Sequence, residues 1–376
     1  MLTRPLKTVT RVLISMMVVL ACATVATADN SPHSQHYTWT KGSYEPYPFP
    51  QYVDDVSRYP EAVPPPEAVN RHGEIEYIGN GHFGAHWFVD IEGAVWHIVT
   101  AGDPSKKPVL LIHGYPDTWF AYHKVMADLA DDYYVIAVDT LGYGQSDKRP
   151  ELDVSYGAVA ASLIKLLDRL DVDHFNLISH DRGSVISDHL IASDGMSERI
   201  NAFLRMQQSF DQPHGLPRPP HAQMSTPEFH SAENMIRNMY AGDYVSVVLP
   251  ESELARLEWE WGFAGTAEAS ARTFQGTSFD KELDFRMANT VPKMTMPVLI
   301  VQGIRDPGQH AEEYFRSADV IPNGRVVLVD ANHFIHTEDP KLVADLARDL
   351  FENLNANRTR KISTHPVEFL YPEKDQ

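Results

Sequence analysis

Residues 177–184, LISHDRGS, set a carboxylate at the centre of a tight turn. An apolar run at 175–178 leads into Asp181, and a helical stretch at 184–192 follows it. A strand–turn–helix of this kind pushes its central side chain outward and aims the following backbone N–H groups at one spot. Small Ser179 and Gly183 on either side let the turn be that tight. Taken alone, the pentapeptide reads as readily as an aspartate capping a helix. Its company changes that balance. His113, Gly114, Tyr115 and Pro116 follow the apolar run 109–112, Asp306 follows 297–301, and His333 follows 326–329. Reactive groups of open α/β sheets gather at such strand ends. A carboxylate nucleophile, a histidine base and a second carboxylate to orient it are the parts of a covalent mechanism.

Those residues need a sheet to hold them. The runs 109–112, 134–138 and 175–178 have the length of buried parallel strands, with amphipathic stretches between them. One stretch, 156–170, carries Val159, Leu163, Leu166, Leu167 and Leu170 at helical spacing. Earlier, 85–89 and 95–99 alternate around Glu92-Gly93, as an antiparallel pair does. From about 210 to 291 the chain is helical, aromatic and Met-rich; strand-like runs then resume, and a last helix spans 340–355. The pattern predicts an α/β fold: a mostly parallel sheet flanked by helices, with an inserted helical cap. The core takes 73–209 and 292–376, and the cap 210–291. Residues 29–72, rich in Pro, Tyr, Ser and His, read as an extended surface arm.

From about residue 85 to 355 the chain resembles the α/β-hydrolase superfamily, whose catalytic groups follow the order of Asp181, Asp306 and His333. The match is to its aspartate-nucleophile branch: epoxide hydrolases, haloalkane dehalogenases and fluoroacetate dehalogenases. Residues 113–116 resemble the H-G-x-P stretch, 179–183 the G-H-D-x-G elbow and 332–334 the G-H-F stretch, with Ser179 and Asn332 in place of glycine. The resemblance implies that Asp181 attacks a saturated carbon and that His333, held by Asp306, turns water on the resulting ester. It also implies that the backbone N–H groups of Tyr115 and Arg182 hold the oxyanion. His113, Pro116 and His180 are expected beside the substrate. Tyr240 and Tyr244 are the expected donors to an epoxide oxygen, although each also fits an ordinary amphipathic cap position. Asp211 rivals Asp306, because some relatives carry the acid after the preceding strand.

Arg182 separates the branches. Haloalkane dehalogenases carry Trp after the nucleophile. The H-D-R-G elbow is that of fluoroacetate dehalogenases, in which this arginine grips a carboxylate. Their second arginine, four residues after the nucleophile, is Val185 here, and 206–210 lacks their halide-binding His-Trp pair. A structural pairing of Arg182 with Asp211 or Glu258 is the other reading. The expectation is an exported, cofactor-independent hydrolase that opens an epoxide to a diol. A dehalogenase is the alternative, and a non-catalytic binding protein on the same fold a remoter one.

Composition is consistent with this. Hydrophobic residues at 43% and charged residues at 22% describe a globular chain, and a net charge of −19 argues against nucleic acid or an anionic membrane as partner. A small-molecule substrate is expected, and self-association is compatible with the arm. Arg4, Lys7 and Arg11, the apolar stretch 12–25 and Ala26-Thr27-Ala28 read as a signal peptide over 1–28, with a retained anchor as the alternative. Cys22 is the only cysteine and sits in a loose lipoprotein box, so a mature chain has no disulfide. His333 and His336 belong to no metal-binding motif, Gly142-Tyr143-Gly144 is turn chemistry, and Trp259 and Trp261 are expected to pack in the cap.

Overall fold

The apolar runs form strands because they are covered on both sides. A computed structural model describes residues 51–53, 55–210, 221–309, 317 and 319–352. The expected signal peptide with Cys22, the arm before residue 51, Asp211 and the chain beyond 352 lie outside the described residues. Ten strands make one sheet: β1 Gln51–Tyr52, β2 Glu74–Gly79, β3 His82–Ile91, β4 Ala94–Ala101, β5 Pro108–Ile112, β6 Tyr134–Asp139, β7 Phe175–His180, β8 Ile200–Met206, β9 Val298–Gly303 and β10 Gly324–Val329. Their spatial order is β1-β2-β3-β4-β6-β5-β7-β8-β9-β10. Pairing is antiparallel from β1 through the β4–β6 pair and parallel from β6–β5 to β9–β10.

The helices are α1 His123–Leu129, α2 Tyr156–Arg169, α3 Arg182–Ala192, α4 Met196–Arg199, α5 His221–Met224, α6 Ala232–Tyr240, α7 Glu251–Trp261, α8 Thr266–Gly276, α9 Phe279–Asn289, α10 Ile335–Glu338 and α11 Pro340–Glu352. Successive residues of β5 point to opposite faces. Val109 and Leu111 join a cluster with Val125 and Met126 of α1 and Leu346 of α11, while Leu110 and Ile112 join Leu163 and Leu167 of α2 and Leu190 of α3.

Three strands escape the apolar-run criterion. β1 is only Gln51–Tyr52, β2 alternates charged and apolar residues, and β8 carries Arg205 next to its end. Arg205 is fully buried and makes a two-pronged pair with Asp188 of α3, at 2.7 and 2.9 Å, which satisfies a charge that reads as exposed in sequence.

Helices α5 to α9 are inserted between β8 and β9. Ile236, Leu257, Trp261 and Phe274 of these helices belong to the same cluster as Leu111, so the cap shares a core with one face of the sheet. A buried ion network fastens it further. Arg256 of α7 reaches both oxygens of Glu76 on β2, at 2.6 and 2.9 Å, and Glu260 at 2.8 Å.

The described part of the arm is fastened too. β1 pairs with β2, Tyr59 packs on Trp87 with ring centroids 4.5 Å apart, and Gln145 accepts the backbone N–H groups of Val69 and Asn70 at 2.9 Å each.

Candidate active site

Asp181 sits where β7 ends and α3 begins, at φ 45° and ψ −118°. That strained conformation is rare outside glycine and lifts the carboxylate off the sheet edge. Two glycines make the crossing possible. A Cβ on Gly183 would lie 2.3 Å from the carbonyl oxygen of Ile112, and one on Gly114 only 2.6 Å from the Asp181 Cβ. Ser179, where the resemblance expects glycine, fits because its hydroxyl pairs with Ser184 at 2.9 Å, inside the turn.

The two carboxylate oxygens of Asp181 face different partners. Oδ1 accepts the backbone N–H of Tyr115 at 3.0 Å. Oδ2 accepts the Gln208 side-chain amide at 2.9 Å and lies 3.9 Å from Nε2 of His333. Arg182 contributes the first N–H of α3, at the helix end whose N–H groups lack intrahelical acceptors.

On its other side, His333 gives its Nδ1–H to Asp306 Oδ2 at 2.9 Å, and Asp306 Oδ1 accepts the N–H groups of Gly308 at 2.8 Å and Gln309 at 3.2 Å. This fixes the tautomer and leaves Nε2 facing Asp181. Burial alone would raise the Asp181 carboxyl, but the charges of Arg182, His333 and His180 with the Gln208 hydrogen bond hold it below the ordinary carboxylate value. Burial likewise disfavours a charged His333, yet Asp306 and Asp181 outweigh it and raise the ring above the ordinary histidine value.

The structure thus brings Asp181, Asp306, His333 and the Tyr115 N–H together. The polar atoms of His113, His180 and Tyr240 bind the chain itself. His113 donates through Nδ1 to Gly114 O at 2.8 Å and accepts the Thr140 N–H at 3.0 Å, tying the ends of β5 and β6. His180 is fully buried and donates to the carbonyl of His333 at 3.0 Å. Tyr240 gives its hydroxyl to Asp117 Oδ1 and stacks on Phe334. The other oxygen of Asp117 faces His180 Nδ1 at 3.6 Å and His336 Nε2 at 3.5 Å, behind the triad histidine. Pro116 is buried, and its peptide bond with Tyr115 is cis.

Tyr244 lies next to the triad histidine. It is half-buried with its ring edge-on to His333 at 5.8 Å, and its carbonyl accepts the His333 N–H at 3.1 Å. Its hydroxyl has no hydrogen-bond partner among the described residues. Asn332, the other departure from glycine, anchors this loop to the cap by donating to Asp243 O at 2.9 Å.

Arg182 points its guanidinium between Phe274 and Phe279, 5.0 and 4.8 Å from their ring centroids. It borders a small cavity with His113, Tyr143, Tyr156 and Thr273. Among the described residues it has no ion-pair or hydrogen-bond partner. Glu258 instead pairs with Arg237 at 2.9 Å, and Val185 is buried in the core.

Sequence reasoning missed Gln207, Gln208, Asp117 and His230. Both glutamines follow the unread strand β8 at positive φ, 62° and 63°, where no glycine or asparagine marks the turn. His230 accepts the Tyr115 hydroxyl at 2.6 Å, joining the cap to the loop after β5.

Comparison with known proteins agrees with this architecture. The family model for the alpha/beta hydrolase fold matches residues 107–340. Soluble epoxide hydrolase from Corynebacterium sp. (strain C12) is 25% identical over 288 residues, 70% of this chain and 96% of that protein. Mouse Epoxide hydrolase 4 is 35% identical over 114 residues, but the match covers 29% of this chain and only 32% of that protein. The haloalkane dehalogenase DbeA-M1 loop variant from Bradyrhizobium elkanii superposes with a TM-score of 0.59 at 20% identity, over 72% of this chain and 97% of that one, a likeness of fold. With its ten-stranded sheet, its helices inserted after β8 and the elbow that carries Asp181, the chain belongs to the α/β hydrolase fold family.

Proposed function

We propose that the protein is a hydrolase that opens epoxides to diols through an ester of Asp181. What carries the reading is the division of labour on that carboxylate: Oδ1 on the Tyr115 N–H and Oδ2 facing the base His333. Oδ2 attacks an epoxide carbon, the C–O bond breaks, and the leaving oxygen takes the phenolic proton of Tyr244. His333 Nε2 then removes a proton from water, whose oxygen attacks Cγ of the ester. The Tyr115 and Arg182 N–H groups hold the oxyanion. Collapse expels the diol oxygen, which takes the proton from His333, and the proton left on the Asp181 carboxyl returns to Tyr244. An aspartate suits attack on saturated carbon, because the ester it forms needs this second, base-assisted step.

The test is a His333→Gln variant incubated with an epoxide panel. An alkyl adduct should accumulate on Asp181, and an unmodified Asp181 peptide with every epoxide that the wild type converts sinks the reading.

A second reading, displacement of halide from a haloacid by the same carboxylate, draws support from the unpartnered guanidinium of Arg182. Halide release from haloacids without diol formation from epoxides selects it. The proposal includes export, on the strength of the basic, apolar and small-residue order of 1–28; N-terminal sequencing of the mature protein from cell fractions checks it.

A further inference from the structure

Gln208 donates to the oxygen of Asp181 that is to lose its charge. Tyr115 occupies Oδ1, so Oδ2 is the oxygen free to attack, and it is Oδ2 that accepts Nε2 of Gln208 at 2.9 Å. A hydrogen bond to an ionised carboxylate is strong, whereas one to the bridging oxygen of an ester is weak. Alkylation therefore releases the amide at the moment the ester forms. The released amide stands beside the base: Nε2 of His333 is 3.9 Å from the same oxygen. A water attacking Cγ has to enter between them.

The backbone of Gln208 is braced for this. It holds φ 63°, its carbonyl accepts two N–H groups of Arg205 at 2.8 and 3.1 Å, and its own N–H donates to Gln309 at 3.0 Å. Arg205 is in turn locked by Asp188. Next to it, Gln207 donates to the carbonyl of His333 at 3.0 Å, so one turn fixes both the base and the amide. The Oε1 atom of Gln208 has no partner among the described residues.

We infer that Gln208 is a catalytic residue of the second half-reaction, binding the hydrolytic water. Its Oε1 accepts one O–H of the water while His333 Nε2 takes the proton of the other, and the water oxygen bonds to Cγ of the Asp181 ester. In the first half-reaction the same amide stabilises the carboxylate before attack and so works against alkylation. The two steps respond to its loss with opposite signs.

The inference rests on Asp181 forming an ester, and the experiment separates the two. Styrene oxide serves as the probe, with rapid quenching and mass spectrometry of the Asp181 peptide. Gln208→Leu should alkylate as fast as the wild type or faster and should hydrolyse the ester roughly 10- to 100-fold more slowly. Ester then accumulates, and kcat and KM fall together. Gln208→Glu, which keeps an acceptor, should hydrolyse the ester faster than Gln208→Leu once the glutamate is ionised. Melting curves of both variants confirm that they are folded. Slower alkylation with no ester build-up in Gln208→Leu overturns the inference and leaves Gln208 as a residue that only orients Asp181. Equal ester hydrolysis in the Leu and Glu variants overturns the acceptor role. Absence of an adduct in His333→Gln as well means that the ester reading itself has failed, and this inference with it.

Discussion

Nε2 of His333 faces Oδ2 of Asp181 across 3.9 Å, while Nδ1 of the same ring lies 2.9 Å from Asp306. The short contact orients the imidazole, and the long one leaves no direct hydrogen bond between base and nucleophile. Asp181 is therefore not a group that His333 deprotonates. Its carboxyl is held below the ordinary carboxylate value, so in the proposed mechanism the ring acts only after the ester has formed.

That asymmetry predicts the pH dependence of the hydrolytic step. His333 must be neutral to accept a proton, and its pKa is raised, burial being outweighed by Asp306 and Asp181. Ester hydrolysis should rise with pH to a plateau, with a midpoint below that of His333 in the free enzyme, because Asp181 carries no charge once it is an ester while Asp306 still supports the charged ring. Asp306→Asn removes the main cause of the raise, so the midpoint should move down while the plateau falls about 10²- to 10⁴-fold. The stability signs follow the same pair. A raised His333 contributes stability that is fully present below its unfolded pKa and is lost as pH rises through the folded one. A depressed Asp306 contributes stability that is lost as pH falls through its folded value. Denaturant unfolding should therefore find Asp306→Asn more destabilised in mildly acidic buffer than in alkaline buffer.

The two cap tyrosines should separate by phenotype. Tyr244 has an uncommitted hydroxyl on a ring that stands edge-on to His333, whereas the Tyr240 hydroxyl belongs to Asp117. Tyr244→Phe should slow adduct formation by about 10²-fold or more with little loss of stability. Tyr240→Phe leaves a buried carboxylate short of a donor and should cost about 1–3 kcal/mol in urea unfolding. A greater loss of adduct formation in Tyr240→Phe than in Tyr244→Phe would reverse the assignment.

Arg182 should reveal the polarity of the substrate. Its side chain is unpartnered among the described residues and also supports the charge of Asp181. If it binds a substrate carboxylate, Arg182→Met should reduce kcat/KM for an anionic substrate about 10- to 100-fold more than for a neutral one of similar size, the worth of one charge-assisted hydrogen bond. An equal fall for both places its action on Asp181 alone.

The latch between cap and sheet gives a stability prediction. Arg256→Met leaves Glu76 and Glu260 buried without their cation, and thermal or urea unfolding should show a loss of about 3–5 kcal/mol. Glu260 is the surplus acid of the trio. Burial, with the charges of Asp139 and Glu76, raises its pKa against the pull of Arg256, so stability falls as pH rises through that raised value. Glu260→Gln should flatten this slope and gain on the wild type as pH increases.

Much of the site was legible in sequence because its logic is local. An apolar run, a small-residue turn and a helical stretch specify that Asp181 is presented at a strand end, whatever packs around it. The same holds for Asp306 and His333, which follow β9 and β10. What the side chains touch is a different matter, since it depends on residues far apart in the chain. His180, Tyr240 and Asp117 share a buried cluster drawn from β7, the cap and the loop after β5, so a tyrosine that reads as a proton donor is committed to a carboxylate. β8 stayed hidden because Arg205 reads as exposed until Asp188 is seen against it, and with β8 went the turn that carries Gln207 and Gln208. Which groups stand at the strand ends follows from the residue order, because strand, turn and helix propensities act over a few residues. Which of those groups keep an uncommitted polar atom follows from the packing, because a hydrogen bond or ion pair is assigned by which elements the fold brings together.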